Sequence, residues 1–385
     1  MRVTNVRTWI VQPPQAKTVL FVKVETDEGL YGWGEVYTVT AREPALERLT
    51  LDLGHYLIGR DPLHSKHFVQ AIYRDVAIKR GSMDLYCALS GLEIALWDIA
   101  GKHFGTPVYN LLGGPCRGRV RVYGQPSGPA DGAPGLEALA RRARNTIAAG
   151  YTALKLDPFP GPWQTHVERG VERTAVERVA AVREAVGPEV DVLIEVHRRL
   201  APHHAIRVAQ RIARYDPFWY EEPTPAENLD ATAEVRRKID VPVVVGEALY
   251  TKHQFREAFE KRAADIINPD ICNVGGLLEL KEIAAMAEAY CVAVAPHGNN
   301  STTVGLAASL QIAACIPNFL IMEYPMAWEP YATELAKNPL RVVGGEIALP
   351  TAPGLGIDLD EAALAKYPYR GPSNRPLLSP AEERP

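Results

Sequence analysis

A chain of 385 residues with 47% hydrophobic and 23% charged side chains has a globular composition, which excludes disordered and collagen-like chains. At roughly 150 residues per domain the length predicts two or three units. The 42 basic and 46 acidic residues leave a net charge of -4, with no general electrostatic attraction to nucleic acid or anionic membrane.

In chain order, residues 18–25 read as a strand, Asp27-Glu28-Gly29 as a turn and 30–36 as a second strand. A helix is expected from Ser90 to Lys102, where Leu92, Ala95, Leu96 and Ile99 recur at helical spacing. The Gly113-Gly114-Pro115 cluster suggests a boundary, so residues 1–115 are expected to form an α+β unit. Beyond it, eight β-rich runs alternate with helical patterns: 119–124, 151–156, 191–196, 218–221, 242–247, 264–268, 292–296 and 319–322. The clearest helices between them are 172–186 and 278–290. Such alternation predicts right-handed βαβ units and a parallel sheet, and eight strands fit a closed barrel. Trp328, Pro330 and Pro339 leave only a weak helical stretch after the eighth run. The expectation is a (β/α)7β barrel over 116–339, with a loop-rich segment 340–385 folding back to complete the N-terminal unit.

Cys87, Cys116, Cys272, Cys291 and Cys315 are scattered with no CxxC pair, which argues against a disulfide framework or a structural zinc site. No apolar h-region follows Met1 and no run of about eighteen apolar residues occurs, so a cytoplasmic protein without a membrane span is expected.

The informative feature is the placement of ionisable residues. Glu195, Glu221 and Glu247 each end an apolar run, at intervals of 26 residues; Asp270, His297 and Glu323 continue the series at 23, 27 and 26. Any one of them reads as an ordinary polar strand end. Six in phase would converge on one mouth of a barrel, where barrel enzymes build their sites. Three carboxylates crowded there repel one another unless a cation neutralises them. An all-oxygen set favours Mg²⁺, or Mn²⁺, over zinc.

Ala-Leu-Lys-Leu-Asp (153–157), Ile-Glu-Val-His (194–197), Tyr-Glu-Glu-Pro (220–223), Val-Gly-Glu (245–247), Asn-Pro-Asp (268–270), Ala-Pro-His (295–297) and Met-Glu-Tyr (322–324) follow one another along the barrel. With Gly-Trp-Gly-Glu (32–35), Ala-Leu-Trp-Asp (95–98) and Pro-Gly-Leu-Gly (353–356), they resemble the mandelate racemase-like branch of the enolase superfamily over nearly the whole chain. Within it the chain is most similar to galactonate dehydratase-type acid-sugar dehydratases.

The resemblance implies a capping domain over a (β/α)7β barrel, assembly from several copies, and a small carboxylate substrate. It implies Mg²⁺ held by Glu195, Glu221 and Glu247, although the family usually places Asp at the first position. His297, paired with Asp270, would be the general base, and Glu323 would hydrogen-bond the enediolate. Lys155 is read as a contact to the substrate carboxylate or enolate. Racemases of the branch carry Lys-x-Lys; here Asp157 stands at the second position, which disfavours a two-base racemase and leaves Asp157 as a substrate contact. His197, two residues past Glu195, would share its strand face and serve as the general acid, whereas His203 and His204 look like surface residues. Capping loops near 14–20 and 38–48, with Tyr37 and Arg42, would set specificity. The expected activity is dehydration of an aldonate or aldarate to a 2-keto-3-deoxy acid. A racemase, epimerase or cycloisomerase using the same enolisation is the alternative, and a non-catalytic metal-binding relative a further one.

Overall fold

The computed structural model describes residues 1–14, 16–38, 41–78, 81–125, 135–160, 164–298, 301–372 and 379. Its N-terminal part is a three-stranded antiparallel sheet of β1 (Val3–Val11), β2 (Val19–Thr26) and β3 (Tyr31–Val36). The sequence reading had only the last two. In β1 burial is confined to the end residues Val3 and Val11, so the strand carries little alternation to read.

The helix expected from Ser90 begins earlier and runs Met83–His103. Ser82 starts it, its hydroxyl accepting the Leu85 N–H at 3.3 Å as an N-cap. This helix lies directly on the β3 backbone. A β-carbon on Gly34 would sit 1.8 Å from the Gly91 carbonyl oxygen, and one on Gly32 would sit 2.0 Å from that of Ala95. The two glycines of Gly-Trp-Gly-Glu are therefore what lets helix and sheet meet.

Eight strands follow: β4 (Arg119–Tyr123), β5 (Ala153–Leu156), β6 (Asp191–Glu195), β7 (Trp219–Glu221), β8 (Val243–Val245), β9 (Ile266–Ile267), β10 (Ala293–Val294) and β11 (Met322–Glu323). Strands β5 to β10 are parallel neighbours in order, and β11 pairs in parallel with β4. Parallel bridges Gly124–Leu154 and Val294–Phe319 close the ring. Helices Leu136–Ala148, Arg169–Val186, Pro202–Ile212, Leu229–Lys238, Thr251–Glu260, Leu277–Ala289 and Val304–Cys315 make the crossovers that parallel strands require. Tyr123, Ala153, Leu193, Trp219, Val244, Ile266, Ala295 and Ile321 form one buried cluster, with one residue from each strand or its immediate continuation. The architecture is a (β/α)7β barrel with an α+β cap.

Two buried cap carboxylates bind the cap to barrel helices. Glu35, just before the end of β3, accepts the N–H groups of Thr302, Thr303, Val304 and Gly305 at 2.7–3.1 Å and the Thr302 hydroxyl at 2.7 Å. Glu93 accepts Leu277 N–H at 2.7 Å and Leu278 N–H at 3.2 Å. Each meets the unpaired donors and positive dipole end of a helix N-terminus.

After β11 comes the short helix Glu329–Leu335, and the chain then turns back. Here the return onto the cap is narrower than the expected 340–385. Strands β12 (Val342–Val343) and β13 (Glu346–Ala348) form a hairpin, closed by Gly344 and Gly345 at φ 61° and 74°, and β13 lies antiparallel on β4 of the barrel. Contact with the cap begins near Gly354. Asp98 accepts Leu355 N–H at 2.9 Å, Asp358 accepts Trp33 Nε1–H at 2.8 Å, and Pro368 bridges Val11. Residues 373–378 and 380–385 of that expected segment lie outside the described residues. No helix among the described residues is long and apolar enough to cross a membrane.

Candidate active site

The strand-end series converges. Glu195 and Glu221 are directly paired across β6 and β7, Glu247 follows β8 by two residues, and Asp270 bridges His297 in the continuations of β9 and β10. Glu323 ends β11, and Lys155 lies within β5. All seven side chains are buried.

Glu195, Glu221 and Glu247 each offer an oxygen within 4.8 Å of the others. Glu195 Oε1 accepts the His197 N–H at 2.5 Å, while its Oε2 is buried without a hydrogen-bond partner. Glu221 accepts Trp219 Nε1–H at 2.9 Å, Asn268 Nδ2–H at 2.8 Å and the Lys155 ammonium at 3.1 Å. Glu247 is paired with the Arg198 guanidinium and lies 3.1 Å from His297 Nε2. Burial and the Glu247 charge push Glu195 up to about 7, and burial with the Glu195 charge pushes Glu221 well above its usual range. Burial would raise Glu247 too, but His297 and Arg198 outweigh it and hold it well below. An all-oxygen donor set, three crowded buried carboxylates and a Glu195 oxygen without a hydrogen-bond donor together fit a divalent cation.

His297 faces this cluster. Asp270 Oδ2 stands 2.7 Å from Nδ1, and Asp270 Oδ1 accepts the Ser301 hydroxyl at 2.6 Å and Cys272 N–H at 2.8 Å. The carboxylate fixes the proton on Nδ1 and turns Nε2 toward Glu247 and Glu323, the latter at 3.4 Å. Burial would lower the imidazole, but Glu323 and Glu247 hold it well above its ordinary range. Lys155 lies 3.1 Å from Glu221, 3.2 Å from Glu323 and 3.6 Å from Glu195; these carboxylates overcome its burial and keep it charged. Glu323 accepts from Gln125 and from Gly298 N–H at 2.9 Å; against burial, Lys155 and His297 lower its carboxyl.

His197 arrives by a different route from the one expected. β6 ends at Glu195, and His197 and Arg198 adopt left-handed backbone at φ 53° and 61°, so a turn and not strand alternation places the ring. Its Nδ1 lies 2.8 Å from Asp157 Oδ2, which also accepts from Arg199 at 2.6 Å. Asp157 is thus engaged by two side chains of the next βα loop. Tyr37 stands beside His297, with ring centroids 6.4 Å apart. Arg42 is turned elsewhere: Asp84 holds its guanidinium at 2.9 and 3.0 Å. Gln15, Val39 and Thr40, in the two loops expected to set specificity, lie outside the described residues.

Sequence reasoning missed three groups. Arg198, on Glu247 and 3.7 Å from Glu222, is a cation beside an expected metal ligand, and its place next to His197 was the available signal. Lys17 is open at the mouth; crowding by the protein lowers its ammonium pKa against the pull of Glu323 and Glu247. The loop containing it had been singled out, but the residue had not. Third, His204 is buried and not at the surface, its Nδ1 2.6 Å from the buried Glu172.

Comparison with known proteins adds two family matches. Residues 7–113 match the mandelate racemase / muconate lactonizing enzyme N-terminal domain, and residues 138–363 match the enolase C-terminal domain-like family. D-galactonate dehydratase of Ralstonia pickettii (strain 12J) is 34% identical, covering 97% of this chain and 96% of its own. D-galactarolactone cycloisomerase of Agrobacterium fabrum (strain C58 / ATCC 33970) is 32% identical, covering 95% and 99%. The crystal structure of a mandelate racemase/muconate lactonizing enzyme from Jannaschia sp. CCS1 superposes with a TM-score of 0.91 at 33% identity, covering 97% of this chain and 99% of that one.

Proposed function

The chain belongs to the mandelate racemase / muconate lactonizing enzyme family of the enolase superfamily, and on that footing we propose that it is a hydro-lyase dehydrating a sugar acid. The substrate would be an aldonate or aldarate and the product a 2-keto-3-deoxy acid. One observation carries the reading: the His297 Nε2 faces the carboxylate cluster with Asp270 behind it, while a second histidine, His197, stands on another loop with its own carboxylate partner.

Glu195, Glu221 and Glu247 would hold Mg²⁺, or Mn²⁺, whose charge when bound stabilises the negative charge that builds as the C2 proton leaves. His297 in its neutral form takes that proton at Nε2, with Asp270 keeping Nδ1 protonated, and the charges of Glu323 and Glu247 favour the imidazolium that results. Lys155 supplies a fixed positive charge for the substrate carboxylate or enolate oxygen. Glu323, 3.2 Å from Lys155 and 3.4 Å from His297 Nε2, positions these two side chains and would hydrogen-bond the enediolate. His197 protonates the departing C3 hydroxyl, which leaves as water, and Asp157, 2.8 Å from its Nδ1, orients the ring. The resulting enol becomes the 2-keto acid. Tyr37, beside His297, and Asp157, beside His197, complete our assignment of substrate-side residues, whereas Arg42, held by Asp84, drops out of it. A homo-oligomer in the cytoplasm, acting on a small carboxylate without nucleic acid or membrane, belongs to the same reading.

The test is incubation with a panel of aldonates and aldarates plus Mg²⁺, assayed for 2-keto acid, with parallel proton exchange in D₂O. Product formation supports the dehydratase. Exchange at C2 without 2-keto acid favours an epimerase, racemase or cycloisomerase, the last being what the Agrobacterium relative is named for. Neither product nor exchange with any acid points to a non-catalytic relative.

A further inference from the structure

Three histidines outside the carboxylate cluster are brought together by two successive βα loops. His166 belongs to the loop after β5, and His203 and His204 open the helix Pro202–Ile212 after β6. The Ala201 N–H donates to the Thr165 carbonyl at 2.8 Å, stapling the first loop across the start of that helix. The rings are close: centroids are 4.0 Å apart for His203 and His204, 5.9 Å for His166 and His203, and 6.2 Å for His166 and His204. One nitrogen from each lies within 4.8 Å of the others.

From this geometry we propose that His166, His203 and His204 form a second metal site, for a late first-row divalent ion of the Zn²⁺ class. Three imidazoles are borderline-soft nitrogen donors, which suit zinc, nickel or copper and not the magnesium that the carboxylate cluster fits. The decisive feature is the support behind His204. The Glu172 carboxylate at 2.6 Å fixes the proton on Nδ1, and Nε2, which accepts the Val167 N–H at 3.3 Å, is the nitrogen that an ion would take over from that donor. A carboxylate orienting a histidine in this way is the usual support of a metal-ligating imidazole. Glu172 is itself held by Arg207 at 2.9 Å and Arg211 at 3.3 Å, so it cannot swing away. His166 and His203 are exposed, so the open side gives an ion an entry path. A bound ion would cross-link the loop carrying Asp157 to the loop carrying His197 and Arg199.

The test uses the full chain saturated with Mg²⁺ and titrated with Zn²⁺ alone, counting bound zinc by equilibrium dialysis and elemental analysis. Wild type is expected to take up one Zn²⁺ equivalent that the double variant His166→Ala/His203→Ala loses. Both positions are exposed, and an unchanged melting temperature of the variant without zinc verifies its fold. Glu172→Gln is expected to weaken the same equivalent by about 10–100-fold. X-ray absorption of the zinc-loaded protein should show imidazole scattering that the double variant lacks. If wild type and double variant bind the same number of ions with the same affinity, the proposal is overturned. It is equally overturned if the zinc equivalent disappears in Glu195→Gln and persists in the double variant, because the ion then belongs to the carboxylate cluster.

Discussion

Replacing Glu35 by glutamine should loosen the cap from the barrel without altering side-chain volume. The carboxylate accepts five hydrogen bonds, two on Oε1 from Thr302 and three on Oε2 from Thr303, Val304 and Gly305. In the best orientation the glutamine oxygen keeps the three N–H donors of the Oε2 side. The new NH₂ then faces Thr302, whose hydroxyl can rotate to accept but whose backbone N–H is left buried and unpaired. That orphan costs about 1–3 kcal/mol. Loss of the charge at the helix N-terminus adds roughly 0.3–2 kcal/mol. The sum is about 1–5 kcal/mol, which at roughly 2–4 °C per kcal/mol for a barrel-sized domain lowers Tm by about 3–20 °C. Glu35→Ala, which strips all five acceptors and leaves a cavity, should cost more than the glutamine variant. Differential scanning calorimetry of the three proteins measures this. A glutamine variant melting within about 1 °C of wild type would refute the clamp, because no rearrangement of an amide can satisfy five donors.

Three further outcomes follow from the same geometry. Asp270→Asn should reduce kcat by about 10³–10⁴-fold with little change in KM, because an amide no longer fixes the Nδ1 proton of His297; steady-state kinetics on the accepted acid, alongside a thermal melt, decides it. His197→Asn should abolish 2-keto acid formation while C2 exchange in D₂O persists, and loss of both together would remove His197 from the general-acid role. Gly34→Ala should destabilise the fold by about 1–3 kcal/mol, since the added β-carbon meets backbone and not a movable side chain, and a denaturant titration unchanged from wild type would contradict that packing.

The strand-end residues were legible because a βα unit repeats with nearly constant length, so that a shared position at the barrel mouth shows as phase. Glu195, Glu221, Glu247, Asp270, His297 and Glu323 all sit where that phase puts them. Features set by backbone departures or by distant partners were not legible in this way. His197 reaches Asp157 through two consecutive left-handed residues, a geometry that strand alternation cannot foretell. Arg42 is drawn to Asp84, and His204 is buried on Glu172; both pairings span parts of the chain that only the fold brings together. Glu35 looked like one letter of a motif, and its five donors lie some 270 residues away. The hairpin on β4 was hidden for the same reason, since the two-glycine turn announces a reversal but not the strand it will join.

The stitching of residues 354–368 to the cap bears on how the chain is made. Trp33 and Asp358 are 325 residues apart, and Val11 finds its bridge only at Pro368. A ribosome adding roughly 5–20 residues per second would have the cap sheet outside the exit tunnel for many seconds before those partners emerge. The cap core between Val3 and Ile99 is contiguous in sequence and can form early, but the Trp33 indole and Tyr31 hydroxyl lack their partner until Asp358 follows more than three hundred residues later.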